Sequence, residues 1–365
     1  MQQGPCDLLV VSHASVVAVN QGVYAAMVEG GVDVRILVPS RWRNDYVPGG
    51  FAFEVHEGMA GRISAVRILG AGRPQRHVHL ASASGLLRRL RPSVLFVEEE
   101  PFSFAAAQWV GAARRAGVPV GVQLAETLDR ALPRFVRASR RRVLSSAAFV
   151  AARSPAAASL AARWGTAGEV VVLPHGLDEV DERALPTGTF TVAYVGRLVE
   201  EKGIEDLLAA MHLLGGTARL VVAGEGPLGA AVRRAGPQVV ALGAVPHDSI
   251  GDVYAMAHVL CVPSRTTATW EEQFGRVIPE AMVRGIPVVA TETGEIPWVL
   301  GETRGGILVP ERDPAALAGV LDQLAHHPER ALELGRRART GVLAAFTNDA
   351  SARTLGAVVA RVRRG

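Results

Sequence analysis

Phe190-Thr-Val-Ala-Tyr-Val-Gly-Arg-Leu-Val-Glu-Glu-Lys-Gly203, running on into Ile204-Glu-Asp-Leu-Leu-Ala-Ala-Met-His-Leu-Leu214, decides the fold. The apolar run Phe190–Val195 predicts a strand buried on both faces, as in a parallel sheet covered by helices. Glycines 196 and 203 bracket a charged turn, and the apolar residues beyond them recur at helical spacing, predicting a helix over Ile204–Leu214. The same unit repeats downstream. Strands are expected at Ala218–Val222, Val239–Leu242, Val259–Val262 and Pro287–Ala290. Helices are expected at Pro227–Ala235, His247–Ala257, Val277–Arg284, Pro314–Ala325 and Pro328–Ala345.

Upstream the rhythm is the same, with strands at Leu8–Ser12, Val34–Val38, Val94–Val97, Val118–Val122, Phe149–Ala151 and Val170–Leu173. Gln21–Glu29, Ser103–Arg115, Arg134–Ser145 and Pro155–Arg163 read as helices, and Asn44 to Arg76 as an irregular segment with a hairpin or an acceptor-side insertion. Alternating strands and helices over 365 residues make an α/β chain of two doubly wound, Rossmann-like domains. Turn residues after Leu173 and a polar stretch to Thr189 mark the linker. We place an N-terminal acceptor-binding domain at 1–175, a C-terminal donor-binding domain at 176–348, and a last helix at 349–365 that crosses back to the first domain. Facing domains would hold ligands in a cleft at the carboxyl ends of their strands.

Composition narrows the function class. A formal charge of +4 and a pI near 9.6 invite nucleic acid as a partner, but the basic residues are scattered and no aromatics interleave with them, so none is expected. Arg134, Arg137, Arg140, Arg141 and Arg142, with Leu132, Phe135 and Val136, read either as a solvated helix face or as a peripheral contact with an anionic membrane. No apolar run is long enough to span a bilayer and no signal segment is visible, so a cytoplasmic location is expected, with any membrane contact peripheral at the inner face. Cys6 and Cys261 lie in strand-like runs and read as small buried hydrophobes.

Lys202 is the only lysine in a chain otherwise committed to arginine. It stands with Arg197 and Gly196 on the loop that leaves the strand ending at Val195. Two cations of different shape on one loop suit a diphosphate; a solvated loop paired with Glu200 and Glu201 is the alternative. Val222-Ala-Gly224-Glu-Gly226-Pro227 repeats the strand, glycine turn and helix. Glu272-Gln-Phe-Gly-Arg-Val-Ile-Pro-Glu280 places two carboxylates on either side of a helix start at Phe274, Gly275, Arg276 and Val277. They could hold hydroxyl groups of two sugars, or Glu271 and Glu272 could be helix N-terminal charges. No His, Asp or Cys spacing suggests a metal.

In order and spacing these motifs resemble the retaining glycosyltransferases of family 4, which have the GT-B fold. The resemblance runs from the first strand through Leu173-Pro-His-Gly-Leu-Asp178 to Gly285-Ile-Pro-Val-Val-Ala-Thr291. It implies that Arg197 and Lys202 bind the donor diphosphate, that Glu280 holds the ribose and that Glu272 contacts the transferred sugar. Gly243 to Val245 would line the base, and the backbone at Phe274, Gly275 and Arg276 would cradle sugar and phosphate. The first half departs from the family pattern. The loop His13-Ala-Ser-Val-Val-Ala-Val-Asn20-Gln21-Gly22 has one glycine where members often have a pair, and Gln123-Leu-Ala-Glu126-Thr127 replaces a segment that often carries a histidine. Glu126 and His13 become candidates for the reacting centre, and His13, Asn20, Glu99 and Glu100 for acceptor positioning.

The implied reaction is transfer, with retention, of a hexose-type sugar from a nucleoside diphosphate sugar to a small-molecule, glycan or lipid-linked acceptor, with no cofactor and no metal. A GT-B-like sugar-nucleotide epimerase and a non-catalytic nucleotide-sugar binding subunit are the alternatives. A dinucleotide oxidoreductase is disfavoured because no Gly-x-Gly-x-x-Gly follows Leu8–Ser12.

Overall fold

The computed structural model of the chain describes residues 4–43, 49–182 and 186–364. It comprises two compact units, Met1–Asp178 with Thr347–Gly365, and Glu179–Phe346. Part of the irregular segment (44–48) and part of the linker (183–185) lie outside the described residues.

The first unit is built on a parallel sheet. Its strands are β1 (Cys6–Ser12), β2 (Val34–Pro39), β3 (Ile63–Val66), β6 (Pro92–Glu98), β7 (Val120–Leu124), β8 (Phe149–Ala152) and β9 (Glu169–Val172), in the spatial order β3-β2-β1-β6-β7-β8-β9. A small antiparallel pair, β4 (Ile68–Leu69) and β5 (Val78–His79), stands apart from it. Helices α1 (Gly22–Glu29), α2 (Ala83–Leu90), α3 (Phe104–Ala116), α4 (Arg134–Ser146) and α5 (Pro155–Arg163) connect the strands.

Period-2 alternation builds two cores from one sheet. Leu9, Val11, Leu95 and Val97 pack with Leu87, Trp109 and Leu160 of the helices on one face. Leu8, Val10, Val94 and Phe96 pack with Tyr24 and Met27 on the other. The C-terminal helix, Asn348–Arg364, adds Leu355, Val358 and Val359 to this second core, so it belongs to the first unit.

The segment expected to be irregular has more order than its composition suggests. Trp42 bridges Phe51, Ile63–Val66 joins the main sheet parallel to β2, and β4 pairs with β5 beyond Arg76. A four-residue edge strand and two-residue ladders are too short to show a period.

The second unit carries β10 (Phe190–Val195), β11 (Ala218–Ala223), β12 (Val239–Gly243), β13 (Val259–Val262), β14 (Val288–Thr291) and β15 (Gly306–Val309), all parallel, in the order β12-β11-β10-β13-β14-β15. Its helices are α6 (Ile204–Leu213), α7 (Gly229–Arg234), α8 (Ile250–Ala255), α9 (Val277–Met282), α10 (Ile296–Thr303), α11 (Pro314–His326) and α12 (Pro328–Ala345). Several are shorter than their sequence pattern predicts. Helix α7 begins at Gly229 because the Leu228 N–H is diverted to the Leu198 carbonyl of the neighbouring loop. In both sheets the strand order reverses beside the first strand of the unit, and that switch point leaves a crevice at the carboxyl ends. In the second unit it lies between β10 and β13.

Candidate functional site

Backbone contacts between loops shape the crevice of the second unit. Leaving β10, the Gly196 N–H donates to Ala223 O and the Leu198 N–H to Glu225 O, while the Gly224 N–H donates to Gly243 O. At Gly224 (φ +152°) a Cβ would stand 1.8 Å from the Gly196 carbonyl oxygen, and at Gly203 (φ +66°) 1.7 Å from that of Pro263. Neither position has room for a side chain. The loops after β10, β11 and β13 therefore pack backbone against backbone, which brings residues from Arg197 to Glu280 to one end of the sheet.

Lys202 lies on a 3-10 turn, Glu200–Lys202, that ends at Gly203. Its Nζ donates to Glu272 Oε2 at 2.5 Å and stands 5.0 Å from the centre of the Trp270 ring. Ser264 Oγ donates to the same carboxylate oxygen at 3.2 Å. The Glu272 side chain is 10% exposed and that of Lys202 23%, so the pair is shielded but open on the lysine side. Arg197 is 40% exposed and only loosely paired with Glu201, at 3.6 Å; its carbonyl accepts from Tyr194 Oη. Glu280 receives Arg276 Nε at 3.1 Å and Tyr254 Oη at 3.2 Å. Burial, with the Glu280 charge beside it, holds the Tyr254 phenol far above its usual range, so it stays a donor. Phe274 is buried against Trp298 and Phe346, which anchors the start of α9.

The structure thus brings Gly196, Arg197, Lys202, Gly224, Gly243, Glu272, Phe274, Gly275, Arg276, Val277 and Glu280 onto the carboxyl-end loops of one sheet. Gly243 ends β12, and Val245, two residues on, is half-buried. The sequence reading missed Ser264, Trp270 and Tyr254. Of these only Ser264 carried a positional signal, since it stands two residues past the end of β13.

Two family matches cover most of the chain. Residues 178–341 match the family described as "Glycosyl transferases group 1", and residues 16–176 match "Glycosyl transferase 4-like domain". The chain belongs to the family 4 glycosyltransferases of the GT-B fold. It is 30% identical to a D-inositol 3-phosphate glycosyltransferase of Corynebacterium kroppenstedtii, over 51% of this chain and 45% of that one. It is 29% identical to a 2-deoxystreptamine N-acetyl-D-glucosaminyltransferase of Streptomyces fradiae, over 65% and 64%. These alignments span about half to two thirds of the relatives' length. Among solved structures, sucrose-phosphate synthase from Thermosynechococcus elongatus superposes with a TM-score of 0.74 over 99% of both chains at 19% identity, a likeness of fold.

In the first unit the charged residues are mostly committed to one another. At the end of β6, Glu98 accepts Arg153 Nη2 at 2.5 Å and Ser15 Oγ at 3.2 Å. Arg153 also binds Gln123, the residue opening the divergent Gln123–Thr127 segment. Glu99 Oε1 accepts the His13 backbone N–H at 2.9 Å and Glu99 Oε2 meets His13 Nδ1 at 2.6 Å. Burial raises the Glu99 carboxyl, but the charge and hydrogen bond of His13, with the His77 ring beside them, outweigh it and hold it down at about 2. Burial pushes Glu100 the other way, to about 7, against the Ala125 N–H that it accepts.

Glu126 is also engaged, accepting the Thr127 and Leu128 N–H groups and pairing with Arg130 at 2.9 Å. Asn20 donates to the Ala14 carbonyl and lines a pocket with Gln123, Arg153 and His175. Of the five α4 arginines, Arg140 turns inward, its guanidinium 3.7 Å from the centre of the Trp164 ring and facing Asp129. The other four are exposed, beside Phe135 at 69%. Among the described residues no helix is long and apolar enough to cross a membrane.

Proposed function

We propose that the chain transfers a hexose-type sugar, with retention, from a nucleoside diphosphate sugar to an acceptor hydroxyl. The observation that carries this is the Lys202–Glu272 contact at the switch point, with Arg197 half-exposed beside it. When the glycosidic bond to the leaving phosphate breaks, charge develops on a phosphate oxygen. Lys202 and Arg197, already oriented by the glycine turns, meet that charge without a metal. Lys202 would exchange its carboxylate partner for phosphate, leaving Glu272 to accept hydroxyl donors of the sugar. Glu280, set by Tyr254 and Arg276, would take the ribose hydroxyls.

The acceptor oxygen bonds to the anomeric carbon on the face that the diphosphate leaves, and its proton passes to the departing phosphate oxygen. No side-chain nucleophile is assigned, so trapping a glycosyl-enzyme adduct would contradict this path. Acceptor positioning is proposed for the first unit at His13 and Asn20, which keep exposed surface; Glu99, Glu100 and Glu126 would act from behind them. Peripheral contact with anionic lipid through Arg134, Arg137, Arg141, Arg142 and Phe135 is part of the proposal. Liposome co-sedimentation unaffected by reversing those four charges would remove that part.

The test is a thermal-shift panel of nucleotide sugars and nucleoside diphosphates on wild type, Lys202→Ala and Glu280→Ala. Stabilisation by one nucleotide series that both variants lose is expected. Stabilisation that both variants keep would place the donor elsewhere.

A further inference from the structure

Behind the loop that follows β1, the first unit gathers histidines from distant segments. One ring nitrogen each of His13 and His77 and a Glu99 carboxylate oxygen all lie within 4.8 Å of one another. The His13 side chain is 22% exposed, while His77 and Glu99 are closed off at 0% and 1%. The Trp42 ring packs on both imidazoles, 4.8 Å from His13 and 5.3 Å from His77, centre to centre.

The tautomer of His77 is decided by its other nitrogen. Nδ1 lies 2.9 Å from the Pro74 carbonyl oxygen, which can only accept, so Nδ1 carries hydrogen. Nε2 is then the nitrogen that faces Glu99 Oε1, 3.5 Å away. That nitrogen is fully buried and has no hydrogen-bond partner. A buried imidazole nitrogen without a hydrogen-bond partner, facing a buried carboxylate, is a place for a positive charge between the two.

We propose that His13, His77 and Glu99 bind one divalent transition-metal ion of the zinc class, with a fourth position open on the exposed side of His13. Two imidazole nitrogens and one carboxylate suit zinc and disfavour magnesium and calcium, which take oxygen. Metal–ligand bonds of about 2.0–2.1 Å in a tetrahedron put ligand atoms roughly 3.3 Å apart. His77 Nε2 stands 3.5 Å from Glu99 Oε1 and His13 Nδ1 2.6 Å from Oε2, so binding turns one carboxylate oxygen toward both rings and draws together ligand atoms now up to 4.8 Å apart.

The outer shell is also in place. His77 Nδ1–H donates to a backbone carbonyl, and Glu99 accepts a backbone N–H from His13 itself. His79 lies next to the cluster but outside it, because its Nδ1 already accepts the Trp109 indole N–H at 3.1 Å. The ion would tie the carboxyl ends of β1 and β6 to β5, at the switch point of this sheet. It plays no part in holding the donor diphosphate. The sequence pattern hid it because the ligands come from residues 13, 77 and 99, with no two in one local motif.

The test uses the full chain without a histidine tag, stripped with chelator and titrated with ZnCl2 by calorimetry, with Co2+ absorption as the readout of geometry. We expect one zinc per chain, a tetrahedral cobalt spectrum, and affinity reduced about 100-fold or more in His77→Ala, Glu99→Gln and His13→Asn. The exposed vicinal pair His326–His327 is the competing adventitious site; the double alanine variant is expected to leave binding unchanged. If His77→Ala fails to fold by circular dichroism, the half-exposed His13→Asn carries the test. No zinc binding at micromolar protein, or binding lost only with His326 and His327, would overturn the proposal and leave the cluster as a proton-bridged pair. Neither readout depends on sugar transfer, so this proposal and the transferase reading fail separately.

Discussion

The two units have the same sheet plan and treat their charges in opposite ways. In the second, the cations at the switch point stay partly in solvent: Arg197 is 40% exposed, Lys202 23% and Arg276 30%, each paired with a carboxylate. In the first, Glu98, Glu99, Arg153 and His77 are almost fully enclosed, with Arg153 and Ser15 both on Glu98. An exposed ion pair exchanges its partner for a ligand at little cost, whereas a buried pair does not open without leaving a charge stranded. The cations of the second unit are thus the more accessible to a ligand, and the Arg153–Glu98 pair of the first the more tightly enclosed.

That contrast is broken most directly at Lys202. Lys202→Ala is expected to lower kcat/KM for sugar transfer about 100- to 1000-fold while leaving the unfolding midpoint nearly unchanged. Lys202→Arg, too large and planar for a one-sided phosphate contact, is expected to recover only part of it. A large stability loss with no kinetic effect would reassign the lysine to structure.

In the first unit the expected effect falls on stability. Arg153→Met strands the Glu98 carboxylate and is expected to cost about 3–5 kcal/mol in denaturant unfolding. Arg265→Met in the second unit is the matched control, because Arg265 binds Asp206 at 2.6 and 2.7 Å with both side chains 11% exposed. A similar loss there, with donor binding kept, would show that enclosure rather than the choice of unit sets the cost.

Gly224→Ala tests the packed turns. With its Cβ forced against the Gly196 carbonyl, the loop after β10 must shift, and nucleoside diphosphate affinity measured by calorimetry is expected to fall about 10- to 100-fold. The smallest effect is expected at the exposed pair Arg361–Glu169, 48% and 43% exposed. Arg361→Ala should change stability by less than about 1 kcal/mol. A larger loss would mean that helix packing through the arginine stem, not charge, was removed.

Much of the loop cluster at the carboxyl ends of the second sheet was legible in the chain because its signals are local. Gly196, Arg197 and Lys202 lie within seven residues, and Glu272, Gly275 and Glu280 within nine, each set placed by a strand just before it or a helix just after. Tyr254 gave no such sign, because its contact with Glu280 depends on where α8 lands. On the other side, His13, Glu99, Glu100 and Glu126 were picked out singly. What they pair with, and that Arg140 faces Trp164 rather than solvent, was invisible in the pattern.

The amino-acid pattern by itself determined the alternation of buried strands and helices, and with it two parallel sheets and the glycine-turn loops at the carboxyl ends of the second. Hydrophobic periodicity and glycine turns act over a few residues, so they can be read in order. Only the tertiary structure decided which charges are spent on each other. It paired Lys202 with Glu272 across 70 residues, closed Arg153 over Glu98, and set His13 and His77 around Glu99. Those contacts depend on the order in which strands lie side by side, β6 against β1 and β13 against β10. Burial then sets their strength, and neither property is encoded within one turn or one strand.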